Sequence, residues 1–362
     1  MVYISLGSNV GDREMYLQLA VGLIAYRIGK IKKLAPVVET PSWGFESSPF
    51  LNTCLAIETS YDPREILKQL LKIETYLGRN RALKNGYQAR TIDLDILFCD
   101  TLEINTTALT LPHPRLELRQ FVLTPLAEIA PQFIHPVLNK SIKTLKANCA
   151  DTSEVTLYPT SLSVPQKKTF IAIEGNIGVG KTSFAHALNK ALRGKLLLEN
   201  FIDNPYLEKF YEDPKQYALL VEKAFLEERV KQYHTYFNSS ITSLIISDYH
   251  LHKSLLFAEK NLTTSDFKEY QLLYSSQTSE CRKPDLLVYL TQSLPQLKQN
   301  ILQRGRGYEQ SIDLPYLNKI EEAYEDWKQS SERNVKKLNL KGVDFLKQPK
   351  DFLPLLAALF SA

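Results

Sequence analysis

The sequence predicts two domains of different class: an α+β sandwich of ferredoxin-like type over residues 1–148, and a parallel α/β sheet with a lid over residues 168–362. Three observations carry this. At 362 residues the chain is long enough for two or three cores of ordinary size. The stretch LKANCADTSEVTLYPTSLSVPQKK is rich in Ser, Thr and Pro, holds no period and precedes an apolar strand, so residues 149–167 read as a linker. The order of periodic segments also changes across it, from strand–helix–strand–strand followed by helix and strand, to short apolar strands alternating with helices. No long repeat relates the halves.

In the first half VYISLGSN is a short strand, and GDREMYLQLAVGLIAYRI has helical spacing at Leu17, Ala20, Val21 and Ile24. LNTCLAIETS alternates and is β-branched, so it is a strand. DPREILKQLLKIETYLG is a helix with a strong start: Asp62 as cap, Pro63 in the first turn, Glu65 three residues after the cap. TIDLDILFCD is a further strand and LTPLAEIAP a short helix. In the second half TFIAIEG, KLLLENF, SLIISDY and PDLLVYLT are the short apolar runs of strands buried on both faces.

Composition excludes several classes. A net charge of +4, spread along the chain, does not argue for nucleic acid or a membrane surface as partner. The start MVYISLGSNVGDRE lacks the basic and apolar regions of a signal peptide, and no 18-residue apolar run spans a membrane. Cys54, Cys99, Cys149 and Cys281 form no CxxC pair and read as incidental reduced thiols. A cytoplasmic protein is expected, and a homodimer through its second half.

The chemistry of the first half lies in ARTIDLDILF. Asp93 and Asp95 are two apart on a strand and project from one face, where they repel unless a cation lies between them. Alone, two solvated aspartates explain them equally well. Arg79, Arg81, Arg90, Arg115 and Arg119, with His113 in PHPR, shift the reading to Mg²⁺ and a triphosphate. The motifs SLGSNVGDR, ETPSWG, FLNT, RTIDLDILF and LPHPRLELRQFVLTPL, in this order, resemble the 6-hydroxymethyl-7,8-dihydropterin pyrophosphokinases over residues 1 to about 145. The resemblance implies transfer of pyrophosphate from ATP to the pterin hydroxymethyl group, with release of AMP. It implies that Asp93 and Asp95 hold two Mg²⁺ ions, and that Glu74, Thr110, His113 and Arg119 surround ATP. Arg79, Arg81 and Arg90 would meet the migrating phosphates. Asn52 and the backbone of Thr40, Pro41 and Trp43 would read the pterin edge, with Phe121 and Phe50 on its rings. Tyr87 stands where the family often has Trp, and NRALKNGYQAR fits a closing lid. The glycines of GSNVG read as a tight turn.

In the second half GNIGVGKT has the full G-x-x-x-x-G-K-[ST] form between an apolar strand and a helical segment. Gly175, Asn176, Ile177, Gly178, Val179, Gly180 and Ser183 would cradle phosphate, Lys181 would bridge phosphates and Thr182 would reach Mg²⁺. Glu199, at a strand end in LLLEN, is a candidate base for an attacking hydroxyl, or else a strand-end cap. Arg304 and Arg306 in LQRGRGYEQ suit a mobile lid. With LLLENFIDNPYLEKFYEDP, EKAFLEERVKQ and ISDYH in order, the segment from 169 to about 330 resembles the deoxynucleoside kinases. The resemblance implies Glu199 as base for the 5′-hydroxyl, Tyr211 and Glu309 on the 3′-hydroxyl, Arg229 steadying Glu199, and Asp248 assisting at Mg²⁺.

Two departures matter. Tyr249 replaces the family's arginine, leaving Lys253 or a lid arginine to supply its charge. Glu222 occupies the place of a base-reading glutamine; an ionised carboxylate only accepts hydrogen bonds, so it favours the exocyclic amine of adenine or cytosine. The family's branch joined to a pterin enzyme is purine-directed, which puts deoxyadenosine first and makes the whole a bifunctional enzyme of folate synthesis and deoxynucleoside salvage. Tyr249 also motivates a rival, a nucleotide-binding regulatory module, against which the retained Glu199, Lys181 and Thr182 argue. A thymidylate-type monophosphate kinase is the other rival, disfavoured by Tyr211 and Glu309.

Overall fold

The computed structural model describes residues 1–79, 88–200, 204–237, 243–331 and 334–361, with the side chains of 328–331 excepted. It divides into two compact units: residues 1–167 with 353–362, and residues 168–352.

The first unit runs β1 (Val2–Ser8), α1 (Arg13–Arg27), β2 (Lys30–Leu34), β3 (Val38–Thr40), β4 (Phe50–Glu58), α2 (Pro63–Tyr76), β5 (Asp93–Cys99), β6 (Ile104–Asn105), β7 (Thr110–Leu111), α3 (Gln120–Ile129), α4 (Ile142–Ala147) and β8 (Thr156–Leu157). Its main sheet is antiparallel, in the order β5-β1-β4-β3-β8, with β2 also on β4. β4 is buried on both faces, which suits its apolar FLNTCLAIE run. Cys54 and Ala56 pack with Val122, Leu126 and Ile142 of α3 and α4, while α1 and α2 pack together and reach β1 and β5. Asp62 caps α2, accepting from the N–H groups of Arg64 and Glu65 at 2.9 and 3.0 Å. The pairing of Ser5 with Asp95 and Gly7 with Asp93 fixes the two aspartates against β1.

The segment read as a linker is not free. β8 pairs with β3, Tyr158 N–H donates to Val37 O at 2.9 Å, and Arg13 lies over the Tyr158 ring. Gln18, buried on α1, exchanges two hydrogen bonds of 2.8 Å with the Ser163 backbone. Its low-complexity composition hid this because backbone groups make most of the attachment. Gln18→Ala should lower unfolding stability by about 1–3 kcal/mol, the cost of unpairing buried backbone groups, measured by denaturant titration of the full chain. An unchanged midpoint would show that water replaces the side chain.

The second unit runs β9 (Phe170–Gly175), α5 (Lys181–Leu192), β10 (Lys195–Leu197), α6 (Leu207–Glu212), α7 (Pro214–Phe237), β11 (Ile245–Ser247), α8 (Lys253–Asn261), α9 (Thr264–Thr278), β12 (Leu286–Thr291), α10 (Leu294–Arg304), α11 (Leu314–Ser331) and β13 (Val335–Asn339). Its five-stranded sheet is parallel throughout, in the order β10-β11-β9-β12-β13. Such a sheet gathers strand C-termini along one edge, and there the chain places Gly175, Glu199 and Asp248.

The chain closes with α12 (Phe352–Phe360). Residues 353–362 belong to the first unit, which departs from the expected boundary at 168–362. The physical reason is local to α1: Gly22 leaves room for the Phe360 ring, which a Cβ would approach to 2.1 Å, and Tyr26 stacks on that ring at 5.8 Å.

Candidate active sites

In the first unit a cavity of about 220 Å³ is lined by thirteen sequence-predicted residues among others: Thr40, Pro41, Trp43, Phe50, Asn52, Arg79, Arg90, Asp93, Asp95, His113, Arg115, Arg119 and Phe121. Its floor is acidic and its walls cationic. Arg79 and Arg90 both bind Asp93, the latter at 2.8 Å, and His113 Nε2 lies 3.9 Å from Asp95 Oδ2. Burial, then the neighbouring Asp93, push Asp95 up to about 7, against Arg119 and Arg90, which favour its charged form. Burial, then Arg119 and Arg115, push His113 down to about 4, so its imidazole is neutral at pH 7.

The opposite side of the cavity is aromatic and amide-lined. Asn52 Nδ2 donates to Thr40 Oγ1 at 2.9 Å, with both residues buried. Trp43 and Phe121 tilt at a centroid distance of 6.4 Å beneath the Arg119 guanidinium, and Arg90 lies over Phe50. That combination suits a flat heterocycle with polar edges.

Two predicted contacts fall elsewhere. Glu74 is 1% exposed, accepts the Leu94 N–H at 2.9 Å and ion-pairs with Arg79, so it braces an arginine and does not line the cavity. Burial on α2 under β5 decides this, and no local spacing announces it. Thr110 lies on β7 and is not a lining residue. Arg81, Tyr87 and most of the expected lid NRALKNGYQAR lie outside the described residues.

In the second unit Gly175–Gly180 joins β9 to α5. Gly175 has φ +144° and a Cβ there would meet Leu290 O at 2.4 Å; Gly178 has φ +79° with Leu297 O at 2.7 Å. Only glycine fits either position. Lys181 Nζ donates to the carbonyls of Gly175 and Asn176 at 2.8 and 3.0 Å. Burial and Lys253 push this ammonium down to about 8. Asn176 and Val179 turn their side chains inward, Asn176 onto Leu317 O and Glu321, so neither side chain is placed to touch a nucleotide. Ser183 follows Thr182 in the first turn of α5. Thr182 Oγ1 donates to Asp248 Oδ2 at 2.5 Å, and Asp248 Oδ1 accepts the Glu199 N–H at 2.8 Å.

The cavity beyond this loop is lined by Ile177, Gly178, Lys181, Glu199, Tyr211, Glu222, Arg229, Lys253, Arg304, Arg306 and Glu309, with Asn261, Tyr308 and Tyr316. Glu199 is braced from two sides: Arg229 Nε on Oε1 at 2.9 Å, Lys253 Nζ on Oε2 at 2.6 Å. Burial opposes its charge, but Lys253 and Arg229 outweigh it and hold the carboxyl well below the usual range. Tyr249 is fully buried and its hydroxyl donates to Gln232 Oε1 at 2.6 Å, so that position delivers nothing to the cavity. Arg304 and Arg306 both ion-pair with Glu309, so the expected lid arginines are occupied by a predicted substrate residue. Tyr211 stacks on Tyr308 at 5.7 Å.

Sequence reasoning missed Asn261 and Tyr316. Asn261 belongs to no motif, and Tyr316 lies within IDLPYLNKI, where nothing singles it out; the convergence of α8 and α11 on the cavity marks both. Among the described residues no group of three or more His, Cys, Asp or Glu side chains is placed to hold a metal ion. Two-carboxylate sites of this kind suit Mg²⁺, which phosphate oxygens complete. No described helix is long and apolar enough to cross a membrane.

The two halves of the chain match different families. The family described as deoxynucleoside kinase matches residues 171–358, and the one described as 7,8-dihydro-6-hydroxymethylpterin-pyrophosphokinase matches residues 3–131. The chain is 37% identical over 158 residues to a deoxyguanosine kinase of Bacillus subtilis, covering 43% of this chain and 76% of that protein. It is 42% identical over 146 residues to the 2-amino-4-hydroxy-6-hydroxymethyldihydropteridine pyrophosphokinase of Aquifex aeolicus, covering 40% of this chain and 89% of that one. A solved structure of deoxyadenosine kinase from M. mycoides with bound dATP aligns at 25% identity and TM-score 0.46, covering 52% of this chain and 98% of that one.

Proposed function

The chain belongs to two families, the 7,8-dihydro-6-hydroxymethylpterin-pyrophosphokinases through its first unit and the deoxynucleoside kinases through its second, and from that premise we propose which residues act and on which nucleoside. It is a bifunctional transferase that takes phosphoryl groups from ATP. The strand order of the first unit, with crossovers α1 and α2, supports a ferredoxin-like reading.

In the first unit the pterin lies against Asn52 and the Thr40–Trp43 backbone, with Phe121, Trp43 and Phe50 beside its rings. Its hydroxymethyl oxygen bonds to the β-phosphorus of ATP and gives up its proton to solvent, the bond from that phosphorus to the α-phosphate oxygen breaks, and AMP leaves. Arg79 and Arg90 take up phosphate charge, Glu74 holds Arg79, and Arg119 and the neutral His113 contact ATP; Arg81 and Thr110 remain proposed phosphate or ATP contacts. Asp93 and Asp95 would hold Mg²⁺, which supplies charge neutralisation for the phosphates.

In the second unit the braced position of Glu199 carries the reading. A carboxylate kept ionised at a cavity wall beside a phosphate loop can take the proton of a 5′-hydroxyl as its oxygen bonds to the γ-phosphorus and ADP leaves. Thr182 and Asp248 would hold Mg²⁺. Lys253 provides the positive charge that Tyr249 does not. Tyr211 and Glu309 grip the 3′-hydroxyl, and Arg304 and Arg306 exchange Glu309 for phosphates when the lid closes. Incubation with ATP and each deoxynucleoside, and separately with the pterin, with products resolved by mass, tests both assignments.

Glu222 supports deoxyadenosine as the favoured substrate and a role in salvage. At pH 8 deoxyadenosine should exceed deoxyguanosine and thymidine in kcat/KM by about tenfold, since a mispaired buried polar group costs ~1–3 kcal/mol. Deoxycytidine should come second, and Glu222→Gln should narrow the gap. A preference for thymidine or deoxyguanosine at that pH would reject the assignment. We further expect a cytoplasmic homodimer through the second unit, with no nucleic-acid or membrane partner, which sedimentation and fractionation would check.

A further inference from the structure

Glu222 is not alone at the end of the nucleoside cavity. The Tyr316 hydroxyl donates to Asn261 Oδ1 at 3.2 Å, and Asn261 Nδ2 donates to Glu222 Oε1 at 2.9 Å. The three side chains come from α11, α8 and α7 and all line the cavity. Because the phenol gives its proton to the amide oxygen, the amide NH₂ must face the carboxyl. In this arrangement Oε1 is an acceptor. Among the described residues Oε2 has no hydrogen-bond partner, so a proton on this carboxyl resides there.

We propose that Asn261, oriented by Tyr316, is a specificity-determining residue: it reserves Oε2 of Glu222 for the nucleobase, which that oxygen reads as an acceptor when ionised and as a donor when protonated. Ionised, Oε2 accepts from the exocyclic amine of adenine or cytosine. Protonated, it donates to the keto oxygen of guanine or thymine. Base selectivity then depends on pH.

The surroundings keep both forms within reach. Glu222 is 3% exposed, and burial raises its pKa to about 7. The Asn261 hydrogen bond, then Arg229 on the same helix and Lys253 on α8, oppose the rise, and Glu199 beyond β10 adds to it. Tyr316 on α11 and Tyr270 on α9 also face it, both as neutral phenols whose own pKa values are raised by burial. Tyr270 donates to the Glu222 main-chain oxygen at 3.2 Å and leaves the carboxyl free to titrate.

The inference rests on the deoxynucleoside reading of this cavity. Its test is the kcat/KM ratio of deoxyadenosine to deoxyguanosine, measured on the full chain from pH 6 to pH 8. The ratio should rise by about tenfold or more across that range, as a carboxyl titrating near 7 passes from mostly protonated to mostly ionised. Glu222→Gln should make it independent of pH. Tyr316→Phe should flatten it, because the freed amide can turn its oxygen to the carboxyl and accept a hydrogen bond from a protonated Oε1, leaving Oε2 an acceptor in both forms. Calorimetric binding near pH 7, in two buffers of different ionisation enthalpy, adds a readout without catalysis: deoxyadenosine should release protons and deoxyguanosine take them up. Phosphorylation with a flat ratio in the wild type, or proton exchange of one sign for both nucleosides, overturns the inference alone. Failure to phosphorylate or bind any deoxynucleoside overturns the reading beneath it as well.

Discussion

Asp95→Ala is expected to reduce AMP release from ATP and pterin by about a thousandfold or more, as removing several kcal/mol of phosphate charge stabilisation requires. Deoxynucleoside phosphorylation in the same preparation should be unchanged. The size follows from the floor of the first cavity. Asp93 is already engaged by Arg79 and Arg90, whereas the nearest ion-pair partner of Asp95 among the described residues is an imidazole at 3.9 Å that is neutral at pH 7, with Arg119 and Arg90 acting on it at longer range. Asp95 is thus the carboxylate most available to a cation. Parallel assays of both reactions check this; loss of both activities in a protein that still melts cooperatively would refute the separation of the two sites.

Glu199→Gln should lower kcat for deoxynucleoside phosphorylation by about 10³-fold, within the range for removal of a positioned general base. Pterin pyrophosphorylation should stay intact. The amide keeps the shape but neither takes a proton nor neutralises Arg229 and Lys253, so two buried cations lose their shared anion. Those cations depress the Glu199 pKa, so the carboxyl stays ionised as pH falls and the kinase reaction should show no acid limb from this group between pH 5 and 8. By linkage, its contribution to stability is present above the ordinary carboxyl pKa of about 4.3 and fades as pH falls below it. An acid limb near pH 6 that disappears in Glu199→Gln would contradict this, as would a variant retaining most of its kcat.

Much of the two candidate sites was legible because their signals are short. Glycines at 175, 178 and 180 answer steric demands of one turn, and Asp93 and Asp95 share a face because a strand has period two. The Asp62 cap and the apolar runs of β4, β9 and β12 are likewise settled within about ten residues of chain. Weakly patterned pieces were not legible: β2, with the sequence KIKKL, and β8, attached through its backbone, carry little apolar period.

By itself, then, the sequence determined the two chemistries, the element types that carry them and most lining residues, since backbone preferences and motif spacings act over neighbouring positions. Only the tertiary structure decided which polar groups meet. It set Glu74 behind Arg79, turned Tyr249 into the core while Lys253 reached Glu199, and paired both Arg304 and Arg306 with Glu309. It also joined Glu222, Asn261 and Tyr316 across separations of 39 and 55 residues. A buried carboxyl, amide or guanidinium must find its partner among whatever the packed helices bring near, and no local pattern encodes that choice.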